Sequence, residues 1–137
     1  MKLNRTITNY IILTVGAFLF NKIYALFGHG VTSPWMTNLY LFFLVLGVLV
    51  FSLFRIFVPD IISHKGYRLF FNTYNSGIAV FANGMLLYGI LEIAGGTSQI
   101  VPWFLYIGCG LLTIAVFMFC KVISMKAPPL ILQRKIH

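Results

Sequence analysis

The chain has 137 residues, of which 60% are hydrophobic and only 9% charged. A soluble domain carries about 25% charged residues to keep its surface wet. Ten Lys and Arg with two Asp and Glu cannot coat a globule of this length, and the mean hydropathy is +0.94. A soluble enzyme domain, a disordered chain and a secreted disulfide scaffold are excluded, which leaves an integral membrane protein.

The net charge of +8 raises the question of a nucleic-acid partner. Apart from Lys22, the basic residues form three groups: Lys2 and Arg5; Arg55, Lys65 and Arg68; and Lys121, Lys126, Arg134 and Lys135. They punctuate long apolar stretches instead of clustering with polar or aromatic groups that could read bases. The pattern is a topology signal, and no nucleic-acid partner is expected.

A helix needs roughly 20 apolar residues to cross a hydrocarbon core about 30 Å thick. Four segments qualify, near 7–27, 35–58, 69–94 and 100–123. Strands are excluded because an open sheet edge in lipid leaves backbone groups unpaired. The run Leu41 to Phe51 also lacks the polar alternation of a transmembrane strand.

In the first segment Thr6, Tyr10, Thr14, Ala17 and Asn21 recur at steps of three and four, forming a small and polar stripe. Gly16 falls on another face, beside Asn9 and Phe20. Lys2 and Arg5 followed by Ile11 to Phe20 resemble the start of a signal peptide. However, apolar character resumes through Ile23 to Phe27, and Gly28-His29-Gly30 is a poor cleavage site. The segment is therefore expected to persist as a helix.

Ser33-Pro34 opens the second segment as a cap followed by proline at the first helical position, with Trp35 suited to a membrane interface. Pro59 ends it. Beyond its first turn its only small residues are Gly47 and Ser52, so it is expected to be the most lipid-exposed of the four. Asp60 follows Pro59 as a helix-ending or turn residue.

The third segment carries Asn72, Asn75, Ser76, Ala79 and Asn83 on one side, with Thr73, Gly77, Gly84, Tyr88 and Glu92 on the other. Small and polar groups on two sides call for neighbours on both, which makes this the central packing helix. Its amides either tie helices together or line a polar path. Gly95-Gly96 marks its end.

Pro102 and Trp103 lie in the first turn of the fourth segment. Gly110, Thr113, Cys120 and Ser124 fall on one side, with Tyr106 and Phe117 in the same column. Small residues permit close helix approach in lipid. Thr14, Ala17, Gly77, Gly84, Gly110 and Thr113 are thus the candidate packing positions. Ala17→Leu or Gly110→Leu is expected to harm stability more than Gly47→Leu. Cys109 and Cys120 are too far apart along one helix, about 16 Å, to bridge each other. Ala127-Pro128-Pro129 stops any continuation.

The fold expected is all-α: one polytopic four-helix transmembrane domain over 1–137. The basic groups flank the N-terminus, the 59–68 connection and the tail, whereas the 28–34 and 95–99 connections have none. Both termini are therefore expected on the cytoplasmic side of the cell membrane.

Lys22 and Glu92 are the ionisable residues placed deepest. Such groups are costly in a membrane and usually face partners or water. Both are expected toward the outer side, so either they pair, or Lys22 snorkels, or they belong to a substrate or proton site. With Asn72, Asn75 and Asn83 they are the candidate intramembrane polar site. His29 lies nearby, but one His and one Glu are too few for a metal. Asp60 and Glu92 lie at opposite ends, and no nucleophile, base and acid converge in sequence. No catalytic residue, metal or cofactor is expected. Two functions remain. One is a non-catalytic accessory or regulatory membrane subunit joining other membrane proteins. The other is a homo-oligomeric transporter or channel using the polar third helix and Glu92.

Overall fold

The computed structural model describes residues 3–125. Lys2, Lys126, Arg134, Lys135 and the Ala127-Pro128-Pro129 stop lie outside the described residues. Four helices are long and apolar enough to cross a membrane: α1 (Leu3–Phe27), α2 (Pro34–Phe57), α3 (Tyr67–Ala94) and α4 (Val101–Ser124). A short 3-10 turn, Pro59–Ser63, joins α2 to α3. The architecture is an all-helical up-down bundle. Helix α1 begins about a turn earlier than the apolar pattern predicts, because Leu3 and Thr6 are themselves buried.

The helix ends follow from local chemistry. Ser33 caps α2, its hydroxyl oxygen accepting from the Trp35 N–H at 3.2 Å, with Pro34 directly behind it. Helix α3 stops at Gly95 (φ 68°), a left-handed residue, and Gly96 N–H closes the turn on the Leu91 carbonyl at 2.9 Å.

Helix α3 is the central element. It packs along nearly its whole length against α4 and also meets α2. Its buried positions, among them Tyr74, Gly77, Ile78, Gly84 and Gly89, fall on more than one face. At the end bearing Arg5, Arg55, Arg68 and Lys121, here the basic end, the core is aromatic. Phe51 is fully buried with Tyr10 stacked at 5.6 Å and Tyr74 edge-on at 5.7 Å between centroids. Phe54 of α2 stacks on Phe119 of α4 at 4.7 Å. Each such pair adds about 0.5–1.5 kcal/mol beyond area burial, a useful term where lipid removes the hydrophobic drive between helices. Toward the other end, here the far end, the core thins to Ala17, Leu39, Ala82 and Met85.

The expectation that α2 is the most exposed helix is overturned. Phe51 and Met36 are sealed, and α2 sits between α1 and α3. Helix α4 is the peripheral one, held chiefly by α3. Sparse small residues were a poor guide because α2 packs with large aromatic and aliphatic groups and needs only Gly47.

Gly47 lies in a π-helical stretch of α2, Phe43–Leu49. A side chain there would overlap the Tyr10 ring of α1. The wide turn also redirects the backbone. The Val50 N–H points to the Val45 and Gly47 carbonyls and skips Leu46. The Leu46 carbonyl instead accepts the Tyr74 hydroxyl at 2.8 Å. A carbonyl left unpaired in a dry interior costs several kcal/mol, and the Tyr74 hydroxyl gives that of Leu46 a partner on α3.

Candidate functional site

Two concave features stand out: a long groove between α1 and α3, and a small pocket at the far end. The groove encloses about 790 Å³. Helices α1 and α3 run parallel and both lean on α2, whose Leu39 and Phe43 form the groove floor. Its α1 wall carries Asn9, Leu13, Gly16 and Phe20, and its α3 wall Asn75, Ala79, Asn83 and Leu86. The face of Gly16, Asn9 and Phe20, distinct from the buried stripe of α1, is thus a groove wall.

Two of the α3 asparagines are engaged in hydrogen bonds within the chain. Asn75 accepts the Tyr10 hydroxyl through Oδ1 and donates from Nδ2 to the Phe71 carbonyl at 2.6 Å. Asn83 donates to the Ala79 carbonyl one turn back at 2.8 Å. Asn72 is exposed and does not line the groove. Every buried side-chain N or O atom among the described residues has a hydrogen-bond partner. The Tyr10–Asn75 bond ties α1 to α3.

The far-end pocket, about 230 Å³, is lined by Trp35, Tyr88, Glu92 and the 96–98 connection. Trp35 and Tyr88 stack at 5.2 Å. Glu92 accepts a hydrogen bond from the Ser33 hydroxyl, the same group that caps α2. Its carboxylate thus stands at the N-terminus of α2, where unpaired N–H groups favour negative charge. The ion pair weighed for Lys22 and Glu92 gives way to this contact. Lys22 is exposed, and its Nζ lies 5.6 Å from the Phe18 ring centroid, one turn back on α1. This is a cation–π contact directed back along α1, away from the far-end connection, rather than a snorkelling side chain. Sequence spacing could rank charges by depth but could not see that a capping serine would come between them.

Among the packing candidates, Ala17 is buried and Thr14 half-buried, its hydroxyl donating to the Tyr10 carbonyl at 2.8 Å. A Cβ on Gly77 would sit 3.0 Å from the Leu112 nitrogen, and one on Gly84 2.8 Å from a Leu105 methyl. Gly110 and Thr113 lie on the opposite, exposed face of α4 with Tyr106, Phe117 and Cys120. The residues that meet α3 are instead Val101, Leu105, Gly108, Leu112 and Ala115. That second column was legible at the same three-and-four spacing but was masked by the more polar one.

His29 occupies a turn with φ 53°. Among the described residues no three His, Cys, Asp or Glu side chains gather where they could hold a metal. No protein-family model, curated protein or solved structure matches the chain.

The Ser33–Glu92 bond leads to a double-mutant expectation. Ser33→Ala removes a cap worth typically about 1 kcal/mol, and Glu92→Gln weakens a charge-assisted bond at an exposed site by a similar amount, about 1 kcal/mol. The two should couple, the double variant costing clearly less than the sum, whereas Lys22→Met and Glu92→Gln should add. Thermal melts of the detergent-solubilised chain read both cycles. Strong coupling of Lys22 to Glu92 with none of Ser33 to Glu92 would reverse the assignment.

Proposed function

We propose that this chain is a non-catalytic membrane subunit that binds laterally to another membrane protein through the outer face of α4. The observation that carries it is the column Tyr106, Gly110, Thr113, Phe117 and Cys120, exposed along α4. Its alternating steps of four and three are the period of a left-handed helix pair. Gly110 and Thr113 at its centre would admit a close neighbour.

The orientation proposed places both termini in the cytoplasm. It rests on the basic residues Arg5, Arg55, Lys65, Arg68 and Lys121 lying at one end of an up-down bundle, against uncharged connections at the other. A cysteine placed at position 30 in a Cys-free chain should react with an impermeant reagent from outside the cell. Reaction from the cytoplasm alone would invert the topology.

The subunit reading is tested by the mass of the detergent complex and by oxidative cross-linking of Cys120, which is exposed on the same column. A defined heterologous partner, lost in Gly110→Leu, is the expected result. A closed homo-oligomer that conducts ions or solutes in vesicles would support the transporter reading instead. That reading draws on Asn9, Asn75 and Asn83 lining one groove, which a second copy could close.

A further inference from the structure

We infer that the groove between α1 and α3 is the binding site of an anionic phospholipid, with one acyl chain in the groove and the phosphate between Arg5 and Arg68. The inference rests on the membrane placement of the bundle and is independent of the subunit reading. The first argument is shape. From Thr6 to Phe20 the α1 wall runs about 20 Å at the helical rise, enough for the roughly 15 Å half-thickness of a hydrocarbon core and part of the headgroup zone. The lining is mainly aliphatic and aromatic, and Asn75 and Asn83 turn their amides to Tyr10 and to α3's own backbone. A flexible apolar chain fits such a wall, whereas a hydrated solute would leave its polar groups unpaired.

The second argument is charge. Arg5 stands one helical turn before Asn9, and Arg68 three residues before Phe71, so each is on the helical face that lines the groove. The Tyr10–Asn75 bond fixes the register of the two parallel helices, which brings both arginines to the same mouth. Both are exposed. The chain's two acids do not compete on these walls: Glu92 lies at the far end of α3, and Asp60 in the turn before it. Guanidinium groups match phosphate oxygens in paired hydrogen bonds. Asn9 lines the wall one turn deeper, the depth at which glycerol esters follow the phosphate.

The test uses the whole purified chain in detergent with dioleoyl phosphatidylglycerol or dioleoyl phosphatidylcholine, bound lipid being counted by native mass spectrometry. One phosphatidylglycerol per chain is expected, held about thirtyfold more tightly than phosphatidylcholine, as two arginines near an anionic headgroup would give. Arg5→Gln with Arg68→Gln should bring the two lipids level and leave the melting temperature unchanged. Gly16→Leu and Ala79→Phe should each abolish retention of both lipids. A Cβ at Gly16 meets nothing within 4 Å and Ala79 is exposed, so neither variant should disturb the fold. Equal retention of the two lipids by the wild-type chain would overturn the inference, as would retention that survives both groove-filling variants. A dimer that Gly16→Leu converts to monomer would put a second copy in the groove instead.

Discussion

Gly47→Leu is expected to be among the most damaging single substitutions in the bundle, lowering stability by about 3 kcal/mol or more, and Gly47→Ala should already cost about 1–3. Any side chain at this position meets the face of the Tyr10 ring. The ring has little room to retreat. It stacks on fully buried Phe51, and its hydroxyl is bonded to Asn75 on α3. Moving it would cost a stacking contact, an interhelical hydrogen bond and the fit of the π turn together. Melts of the purified protein in one detergent would check this. A Gly47→Leu chain that melts with the wild type would show that Tyr10 is not held as described. A companion variant, Tyr10→Ala, should partly rescue Gly47→Leu by clearing the space, which separates a local clash from general misfolding.

That expectation is opposite to the one drawn from composition, and the reason is physical. Small residues in a membrane sequence report where backbones could approach, but not whether a neighbour comes. Four spanning segments, their order and their ends were legible because apolar length, proline, glycine and interfacial tryptophan are local signals. The Ser33 cap and the Gly95 stop were read directly from residue type. Which face of each helix meets which neighbour is a tertiary fact. Helix α2 is rich in bulky apolar groups on every side, so its buried face left no periodic mark, and the π turn around Gly47 shifts the face presented on either side of it. On α4 two columns have the same period, and the more polar one drew the assignment. The groove was half legible: Asn9, Gly16 and Phe20 stood out as a separate face, but only packing shows α3 opposite them. The partner of Glu92 was not legible, since Ser33 is 59 residues away and its capping role already accounted for it.

The two columns of α4 give the second large effect. Gly108→Leu is expected to unseat α4, because a Cβ at that position would lie 2.7 Å from the backbone nitrogen and 2.9 Å from the Cα of Phe81 on α3. Backbone atoms cannot rotate aside as a side chain can, so the helices must separate. Helix α4 has few contacts elsewhere to hold it, chiefly Phe119 against Phe54 of α2. Its seam with α3 also includes Gly77 and Gly84, so separation at Gly108 would undo those close approaches as well. A loss of about 3 kcal/mol or more follows from overpacking against rigid atoms, read as a lower melting temperature and as protease cleavage in the 95–100 connection. Gly110→Leu, two residues on, should leave the isolated chain within about 0.5 kcal/mol of wild type, since it points away from every neighbour. The pair therefore separates fold from function within one helix. If the outer column receives a partner helix, Gly110→Leu destroys the complex and spares the chain, whereas Gly108→Leu destroys the chain first. A Gly110→Leu protein that is itself unstable in isolation would mean that α4 is rotated relative to α3, and the face assigned to a partner would then belong to the bundle.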